Sequence, residues 1–444
     1  MFRRKIYSQL LEWKREYAGK YALMIEGARR VGKSTIIQEF AKNEYDSFIL
    51  LRFDKPDTRI LDLFSRLNDL DRFFLLLQQY TNVRLKNRKS AIIFDEVQLF
   101  PLARQAIKVL LEDGRYDYYE TGSLVSIKKN VKDILIPSEE HTIRMYPMDF
   151  EEFLWAKGND MAMPAIRESF QKRIPLDDAL NEFFMELYRE YMLVGGMPQA
   201  VSAFIDSNSF AEVEKVKREI IELYRKDMAK IDTERRGRKA VAILNSIPSN
   251  LEKHDKMFSP GSVEKDGRTR DYLRLIDDMV DSMVISICYR NTDPCPDLRA
   301  HCDEDDFKLY LCDTGLLFTM SFETIERKDT YDLILSGSTN INFGMYAENL
   351  VAQELRCSGH GLFFSKFEHP DSDRPQEVDF IIVRNGAPCP VEVKSGKRPR
   401  QHTSLDRFVD KYSDKLGEKF VVCTRNLDTA DGITYIPMYM ASLL

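Results

Sequence analysis

The segment that most restricts the fold is a glycine-bounded loop near the N-terminus, Gly27-Ala-Arg-Arg-Val-Gly-Lys-Ser34. A strand-like apolar run precedes it at residues 21–25, and a helix-like apolar run follows it at residues 35–40. In such a loop the glycines let backbone N–H groups surround a phosphate, and the helix N-terminus adds its positive dipole end. The pattern therefore predicts a nucleoside triphosphate site, with Lys33 at the β- and γ-phosphates and Ser34 on Mg²⁺. The residues expected to contact ATP here are Gly27, Ala28, Arg29, Arg30, Val31, Gly32, Lys33, Ser34 and Thr35.

Length and composition indicate an ordinary globular chain. Its 444 residues, 43% hydrophobic and 31% charged, are enough for two or three domains with their own cores. No apolar run approaches the roughly 18–20 residues of a membrane span, and no signal-peptide core follows the basic N-terminus. Seven cysteines without C-x-x-C spacing fit a reducing compartment. We therefore expect a cytoplasmic protein with no membrane partner.

The net charge of −6 means that any binding of DNA must rest on local basic patches. Two such runs occur, at residues 235–239 and 397–400, and the alternative for both is a solvated surface. Cys295, His301 and Cys302 lie close together in sequence, but their spacing matches no common zinc site.

Residues 1–155 alternate between strand-like and helix-like segments, which predicts a parallel sheet with helices on both faces. Helical patterns such as residues 61–80 lie between the strands. The first and third strands end in the loop and in two acids, where open α/β sheets bind their ligands. The strand candidates are residues 22–26, 48–53, 91–95, 116–121 and 142–146.

The middle of the chain, residues 156–306, is dominated by long helical patterns. Two helices at residues 239–251 and 268–281, followed by a strand at 283–289, indicate a winged-helix module. Such modules contact DNA or only mediate packing between domains, and both interpretations stay open. Residues 291–306 form a polar, acidic linker or exposed loop, and a second α/β pattern begins at residue 307.

The apolar strand at residues 90–96 ends in two adjacent acids, Asp95 and Glu96. Acids at a buried strand end suit a Mg²⁺-bound triphosphate, with Asp95 in the Mg²⁺ shell and Glu96 orienting and deprotonating the attacking water. After the next strand, Thr121 and Ser123 are equal candidates for the hydroxyl that contacts the γ-phosphate or this water. Arg144, on the strand after that, approaches the phosphates of this or a neighbouring subunit, or is a surface arginine.

A second group of candidate catalytic residues lies near the C-terminus. Two apolar runs, residues 378–383 and 390–394, flank Asn385-Gly386, a favoured type I′ hairpin turn. With those two residues in the turn, Asp379 faces Glu392 and Glu377 faces Lys394. Pro388 and Pro390 count against a regular hairpin, because proline removes ladder donors.

Two carboxylates that face each other across paired strands destabilise the strand pairing unless a cation lies between them. Asp379, Glu392 and Lys394 on one face fit a metal-dependent phosphodiesterase in which the acids hold Mg²⁺ or Mn²⁺ and the lysine stabilises charge or positions water. Glu348, on the preceding helix, would supply a further acid. The alternative is a solvated hairpin face with a Glu377–Lys394 ion pair.

With these motifs in this order, the chain resembles a prokaryotic family of AAA-type ATPases whose C-terminal domain of unknown function is similar to PD-(D/E)xK nucleases. The resemblance implies an α/β fold with a RecA-like P-loop ATPase core over residues 1–155, a helical and winged-helix middle over 156–306, and a nuclease-like domain over 307–444. It makes Glu348, Asp379, Glu392 and Lys394 the nuclease-type positions. The landmarks are residues 27–35, 92–98, 120–123, 147–153, 195–200, 309–317, 344–355, 377–382 and 391–395.

Two functions of different class are consistent with these patterns. The first is an ATPase coupled to metal-dependent cleavage of DNA, and the second is an ATP-dependent switch whose nuclease-like domain only binds nucleic acid or a protein partner. An ATP-dependent regulator or chaperone without a nucleic-acid role is a third, which the net negative charge favours slightly. AAA-type ATPases often assemble into rings, so an oligomer is expected by analogy alone.

Overall fold

The computed structural model of the protein describes residues 1–122, 139–231, 233–265, 267–322, 331, 334–335, 343–396 and 398–444. The chain divides into two compact units. The first unit comprises Met1–Tyr146 with Asp281–Met283, and the second comprises Pro147–Val280 with Val284–Leu444. In the described part of the chain, no helix combines the length and the hydrophobicity needed to cross a membrane.

The first unit contains a five-stranded sheet in which every paired strand is parallel, in the order β2-β3-β4-β1-β5. This confirms the parallel α/β core expected from the sequence. Because β4 lies between β1 and β3, the strand that contains Thr121 separates the phosphate-loop strand from the acidic strand. The strands are β1 (Ala22–Glu26), β2 (Ser47–Arg52), β3 (Ser90–Asp95), β4 (Asp117–Gly122) and β5 (Glu140–Arg144).

The helices of the first unit are α1 (Ile6–Tyr17), α2 (Lys33–Glu44), α3 (Thr58–Leu63), α4 (Leu70–Thr81) and α5 (Pro101–Asp113). The single helical pattern expected over residues 61–80 is wrong, because two helices share that stretch. Asp57 caps the first helix and Asp69 caps the second, each accepting a backbone N–H with its side chain. Such caps begin new helices.

The second unit begins with helices, as the helical patterns of this region predict. Their bounds are α6 (Phe150–Ala156), α7 (Ala162–Lys172), α8 (Asp178–Val194), α9 (Pro198–Ser207), α10 (Phe210–Ala229), α11 (Glu234–Glu252) and α12 (Leu273–Asp281). The later helices are α13 (Thr314–Ser321), α14 (Gly344–Cys357) and α15 (Thr403–Tyr412).

Two sheets complete the second unit. A four-stranded sheet has the order β7-β6-β8-β9, and a five-stranded sheet has the order β10-β11-β12-β14-β13. The strands of the first are β6 (Ile285–Asn291), β7 (Cys302–Leu311), β8 (Leu362–Phe367) and β9 (Gln376–Val378). Those of the second are β10 (Phe380–Arg384), β11 (Ala387–Lys394), β12 (Phe420–Cys423), β13 (Asp428–Ala430) and β14 (Ile433–Pro437).

The region expected to be a winged helix contains α11, α12 and then the antiparallel pair β6 and β7. Strand β6 also pairs in parallel with β8, so this hairpin is part of a four-stranded sheet and not a free wing. Residues 302–306 belong to β7, and Cys302 and Asp303 pair with β6, so the last five residues of the acidic segment expected as a linker or loop are part of a strand. Contact with DNA in this region stays a prediction.

The β10–β11 hairpin has the expected turn and register. Asn385 and Gly386 have φ values of 50° and 76°, the left-handed pair that a type I′ turn needs. Phe380 pairs with Val391 and Ile381 with Pro390, so the prolines leave the pairing intact. The ladder ends at the pair Phe380–Val391, so neither the expected pairing of Asp379 with Glu392 nor that of Glu377 with Lys394 is part of it. The extended chain is interrupted at Asp379, and Glu377 lies on β9, which pairs with β8.

Candidate functional site

The phosphate loop runs from the end of β1 to the start of α2, as the sequence predicts. Its close packing requires glycine at position 27, since a Cβ atom there would lie 2.4 Å from the carbonyl oxygen of Met145. Gly32, with φ of 101°, supplies the left-handed turn into the helix. The loop therefore has the close packing and the left-handed turn into a helix that are typical of a phosphate-binding loop.

Lys33 is buried, and its ammonium group donates hydrogen bonds to the carbonyl oxygens of Gly27 (2.8 Å) and Ala28 (3.1 Å). Burial lowers the pKa of Lys33 to about 8, although the nearby Glu96 and Asp95 act to raise it. A cation held against the loop in this way is positioned to exchange carbonyl oxygens for phosphate oxygens.

Asp95, at the end of β3, is the acceptor around which the site is organised. Its Oδ1 atom accepts hydrogen bonds from the hydroxyl groups of Ser34 and Thr121, both at 2.6 Å. The Nε atom of Arg52 lies 4.0 Å from its other oxygen. A hydroxyl and a carboxylate in contact are hard oxygen ligands suited to Mg²⁺, so the donor set fits the metal expected with ATP.

Glu96 follows directly in an uncommon backbone conformation, with φ of 58°. Its backbone N–H donates to the Thr121 hydroxyl (3.2 Å), and its carboxylate accepts a hydrogen bond from Gln98. A left-handed non-glycine residue costs of order 1 kcal/mol, and such strain concentrates at functional sites. The chain therefore leaves the direction of β3 at Glu96, and the backbone of Glu96 is bonded to Thr121 at the end of β4.

Of the two hydroxyl candidates at the end of β4, Thr121 is in the described structure and contacts Asp95. Ser123 lies outside the described residues. Arg144 ends β5 beside Glu26, with its Nε atom 3.9 Å from the Glu26 carboxylate and its side chain 57% exposed. Its contact with phosphate stays a prediction.

Sequence reasoning missed Arg4, which supports the loop from the N-terminal segment. Its buried guanidinium donates to the carbonyl oxygens of Val31 (2.9 Å) and Tyr146 (2.8 Å). In the sequence, Arg4 is one of several basic residues at the start of the chain, and nothing distinguishes it from a solvated side chain.

The pKa of Lys33 leads to a prediction about ATP affinity. Bound phosphates raise this pKa again, so above pH 8 the complex holds more protons than the free protein, and affinity must fall as pH rises. We expect a fall of roughly twofold between pH 7 and 8 and a fall approaching about tenfold per pH unit above it. Calorimetric titration with ATP between pH 7 and 9.5 measures this. Lys33→Arg, whose charge does not titrate in that range, should give a flat profile, and a flat wild-type profile would contradict the assignment.

The second candidate site lies in the second unit and brings together the predicted acids. Glu348 on α14, Asp379 between β9 and β10, and Glu392 on β11 are 1%, 9% and 4% exposed. The Asp379 Oδ2 atom accepts a hydrogen bond from the backbone N–H of Val393 (2.8 Å), which fixes it beside β11. Lys394 lies 2.7 Å from the Glu392 Oε1 atom, while the buried Oε2 atom of Glu392 has no hydrogen-bond partner among the described residues.

Two further lysines and a tyrosine enter this site, and sequence reasoning missed all three. Lys308 on β7 lies 3.1 Å from Glu348 and 2.6 Å from Glu377, and the Tyr310 hydroxyl donates to Glu348. Lys256 forms an ion pair with Glu348 and lies 3.8 Å from Asp379. Lys308 is a charged residue within an apolar run, which is a usable signal, whereas Lys256 lies in a polar stretch without one.

The two buried glutamates differ in protonation. Burial, with the Asp379 charge, raises the pKa of Glu392 to about 8 against the opposing effect of Lys394. Burial also acts to raise the pKa of Glu348, but Lys308 and Lys256 outweigh it and bring this pKa to about 2. Glu348 is therefore a compensated anion, whereas Glu392 lacks a sufficient cation.

The chemistry of this donor set fits a divalent ion. Among the described residues, no three His, Cys, Asp or Glu side chains converge into a ready-made metal site. Mg²⁺ commonly needs only one or two carboxylates, with waters and substrate phosphates completing its shell. The carboxylate of Glu392, through its unpartnered Oε2 atom, and the carboxylate of Asp379 are the two groups that would bind such an ion.

Comparison with known families supports the assignment of the first site. Residues 19–154 match the family described as an AAA domain. Residues 185–326 and 343–441 match two domains of unknown function, DUF8612 and DUF4143. The chain therefore contains an ATP-binding domain of the AAA type, with Lys33, Ser34 and Asp95 inside the matched range. The families matched by the rest of the chain carry no assigned activity.

An uncharacterized protein of Haemophilus influenzae is 24% identical over 188 residues, which is 40% of this chain and 40% of that protein. Among solved structures, the Walker-type ATPase paby2304 of Pyrococcus abyssi is 15% identical with a TM-score of 0.40, over 72% of this chain and 96% of that one. AMPPCP-bound DnaA from Aquifex aeolicus is 13% identical with a TM-score of 0.29, over 63% and 87%.

Proposed function

We propose that the AAA domain hydrolyses ATP with Mg²⁺. The observation that supports this most directly is the pair of hydroxyl groups, from Ser34 and Thr121, that donate to one oxygen of Asp95 next to Glu96. A site that only bound nucleotide would need the phosphate loop, but not an acid tied to a hydroxyl on the neighbouring strand.

In this proposal each side chain has one role. Lys33 binds the β- and γ-phosphates, and Ser34 and Asp95 hold Mg²⁺, which when bound neutralises charge on the phosphates. Glu96 orients a water and accepts its proton as the oxygen attacks the γ-phosphorus and the bond to the β–γ bridging oxygen breaks. Thr121 fixes Asp95 and the Glu96 backbone.

Phosphate release tests this proposal. With ATP and Mg²⁺, the wild-type chain should release phosphate at a steady rate that EDTA abolishes. Binding of ATP without any phosphate release, with and without candidate partners, would leave a nucleotide-binding domain and contradict hydrolysis.

Replacing Thr121 by valine should lower kcat roughly 10- to 100-fold with little change in KM, because it frees Asp95 and the Glu96 backbone without removing a phosphate contact. Steady-state kinetics of phosphate release measure the effect. Thr81→Val is a matched control, since the Thr81 hydroxyl only donates to the carbonyl oxygen of Leu77 on α4. Equal kinetics for the two variants would remove Thr121 from the mechanism.

We propose for the second unit a metal-dependent cleavage of phosphodiester bonds in DNA. The supporting observation is Asp379 beside Glu392, whose second oxygen is buried and unpartnered, with Lys394 on the same strand. Asp379 and Glu392 would hold Mg²⁺ or Mn²⁺, which when bound activates water and stabilises charge on the phosphate. Lys394 and Glu348 complete the proposed set, Lys394 by stabilising negative charge.

Cleavage of supercoiled plasmid with Mn²⁺ or Mg²⁺, with and without ATP, tests this activity. Asp379→Asn should lower the rate at least about 100-fold, because it removes a charged ligand from the proposed metal. Asp371→Asn removes an exposed carboxylate from the same unit, with 83% of that side chain exposed, and should cleave like wild type. Absence of cleavage by wild type under every condition would favour the ATP-dependent switch, with the second unit binding nucleic acid or a protein.

A further inference from the structure

Lys256 contacts the acids of the second site, but it is not one of the four residues of the nuclease-like pattern. It lies in the loop between α11 and the short 3₁₀ helix Pro260–Ser262. Its ammonium group forms an ion pair with Glu348 and lies 3.8 Å from Asp379 Oδ1. One side chain thus joins two acids that come from different elements of the unit.

The loop holds Lys256 in this position through its own contacts. The backbone N–H of Phe258 donates to the carbonyl oxygen of Phe307 (3.0 Å), and the two rings stack with centroids 5.5 Å apart. Lys256 itself has φ of 50°, an uncommon conformation for a lysine. Because Phe258 anchors the loop and the backbone is left-handed at Lys256, the lysine side chain is directed toward the two acids.

A lysine and a divalent ion cannot occupy the same position between two carboxylates. Glu348 keeps a second cation, Lys308, at 3.1 Å, so it stays compensated if Lys256 leaves. Among the described residues, the polar groups that contact Asp379 are the backbone N–H of Val393 and the ammonium of Lys256, so loss of Lys256 leaves the charge of Asp379 available to a metal.

We propose that Lys256 is a tethered cation that lies between Glu348 and Asp379 and occupies the Asp379 side of the proposed metal site, so that a divalent ion binds Asp379 only in competition with it. This inference rests on the proposed metal-dependent chemistry of the second unit. Lys256 is a positioning residue: in its presence the acids are held close and neutralised, and withdrawal of its loop opens the site to metal.

Calorimetric titration of the nucleotide-free chain of 444 residues with Mn²⁺ tests the inference. Lys256→Met should bind Mn²⁺ roughly tenfold or more tightly than wild type. Lys256→Arg, which keeps the charge, should bind like wild type. Lys253→Met is the matched control, because it removes an exposed lysine from the same loop whose ammonium contacts Asn250. Equal Mn²⁺ affinity in Lys256→Met and wild type, or weaker affinity in Lys256→Met, would overturn the inference.

A second substitution tests whether the gain in Mn²⁺ affinity arises at this site. In the Lys256→Met background, Asp379→Asn should remove the gain, and a gain that persists would place the ion elsewhere and overturn the inference. Thermal unfolding establishes that each variant is folded, and Lys256→Gln replaces Lys256→Met if the latter is not.

The plasmid assay separates this inference from the proposed function. Tighter Mn²⁺ binding in Lys256→Met without cleavage by any variant would keep the tethered cation and reject the nuclease. Cleavage by wild type with unchanged Mn²⁺ affinity in Lys256→Met would keep the nuclease and reject the tethered cation.

Discussion

Replacement of Lys33 by alanine is expected to weaken ATP binding roughly 30- to 1,000-fold. Hydrogen bonds to a charged group contribute about 1.5–3 kcal/mol each, and the buried ammonium of Lys33 is positioned to contact more than one phosphate oxygen. Calorimetric titration with ATP or a non-hydrolysable analogue measures the change.

Lys42→Ala is the matched control for this prediction. Lys42 lies in the last turn of the same helix, α2, and is exposed, so its loss should leave ATP affinity unchanged. Unchanged affinity in Lys33→Ala would reject the role of Lys33, and equal losses in both variants would indicate a general charge effect and not a specific contact.

Replacement of Asp313 by alanine is expected to destabilise the second unit by about 2–4 kcal/mol. Asp313 is fully buried and caps α13 by accepting the backbone N–H of Leu316 (2.9 Å). Its other oxygen accepts the backbone N–H of Gly196, in the turn between α8 and α9. Alanine removes the cap and leaves a buried donor unsatisfied, and these losses cost about 1 and 1–3 kcal/mol. A Cβ at Gly195 would lie 2.3 Å from Asp313, so the turn has no room to adapt.

Urea unfolding measures this effect. The chain has two tryptophans, and Trp155 lies in the second unit, so a Trp13→Phe background makes fluorescence report on that unit. Asp177→Ala is the control, because Asp177 is an exposed cap of α8 and should cost only about 1 kcal/mol. Asp313→Asn keeps one of the two acceptor oxygens, so its loss of stability should fall between those of the other two variants. A loss in Asp313→Ala no larger than in Asp177→Ala would contradict the buried-network account.

The first unit was largely predictable from sequence because its signals are local. The phosphate loop and the run ending in Asp95 each combine a short apolar strand with residues whose chemistry is specific. The parallel sheet and the Asp95–Ser34 contact follow from strand ends that meet at one edge. The break between α3 and α4 was missed, although Asp69 is an ordinary helix cap and its position carried the signal.

The hairpin of the second unit was predictable in register but not in its surroundings. The Asn385-Gly386 turn fixes the pairing of Phe380 with Val391. The chain leaves this ladder at Asp379. Glu377 therefore forms an ion pair with Lys308 on β7 and not with Lys394. Contacts such as those of Lys308 and Lys256 with Glu348 join segments distant in sequence, and no periodic pattern encodes them.

The central claim, hydrolysis of ATP by the AAA domain, is tested most directly with Glu96→Gln. ATP binding and phosphate release would be measured on the same samples of wild type and variant. We predict unchanged ATP affinity and a fall in kcat of about 100- to 10,000-fold, because glutamine keeps the shape of Glu96 but cannot accept the proton of the attacking water. Phosphate release by Glu96→Gln at the wild-type rate would contradict the account.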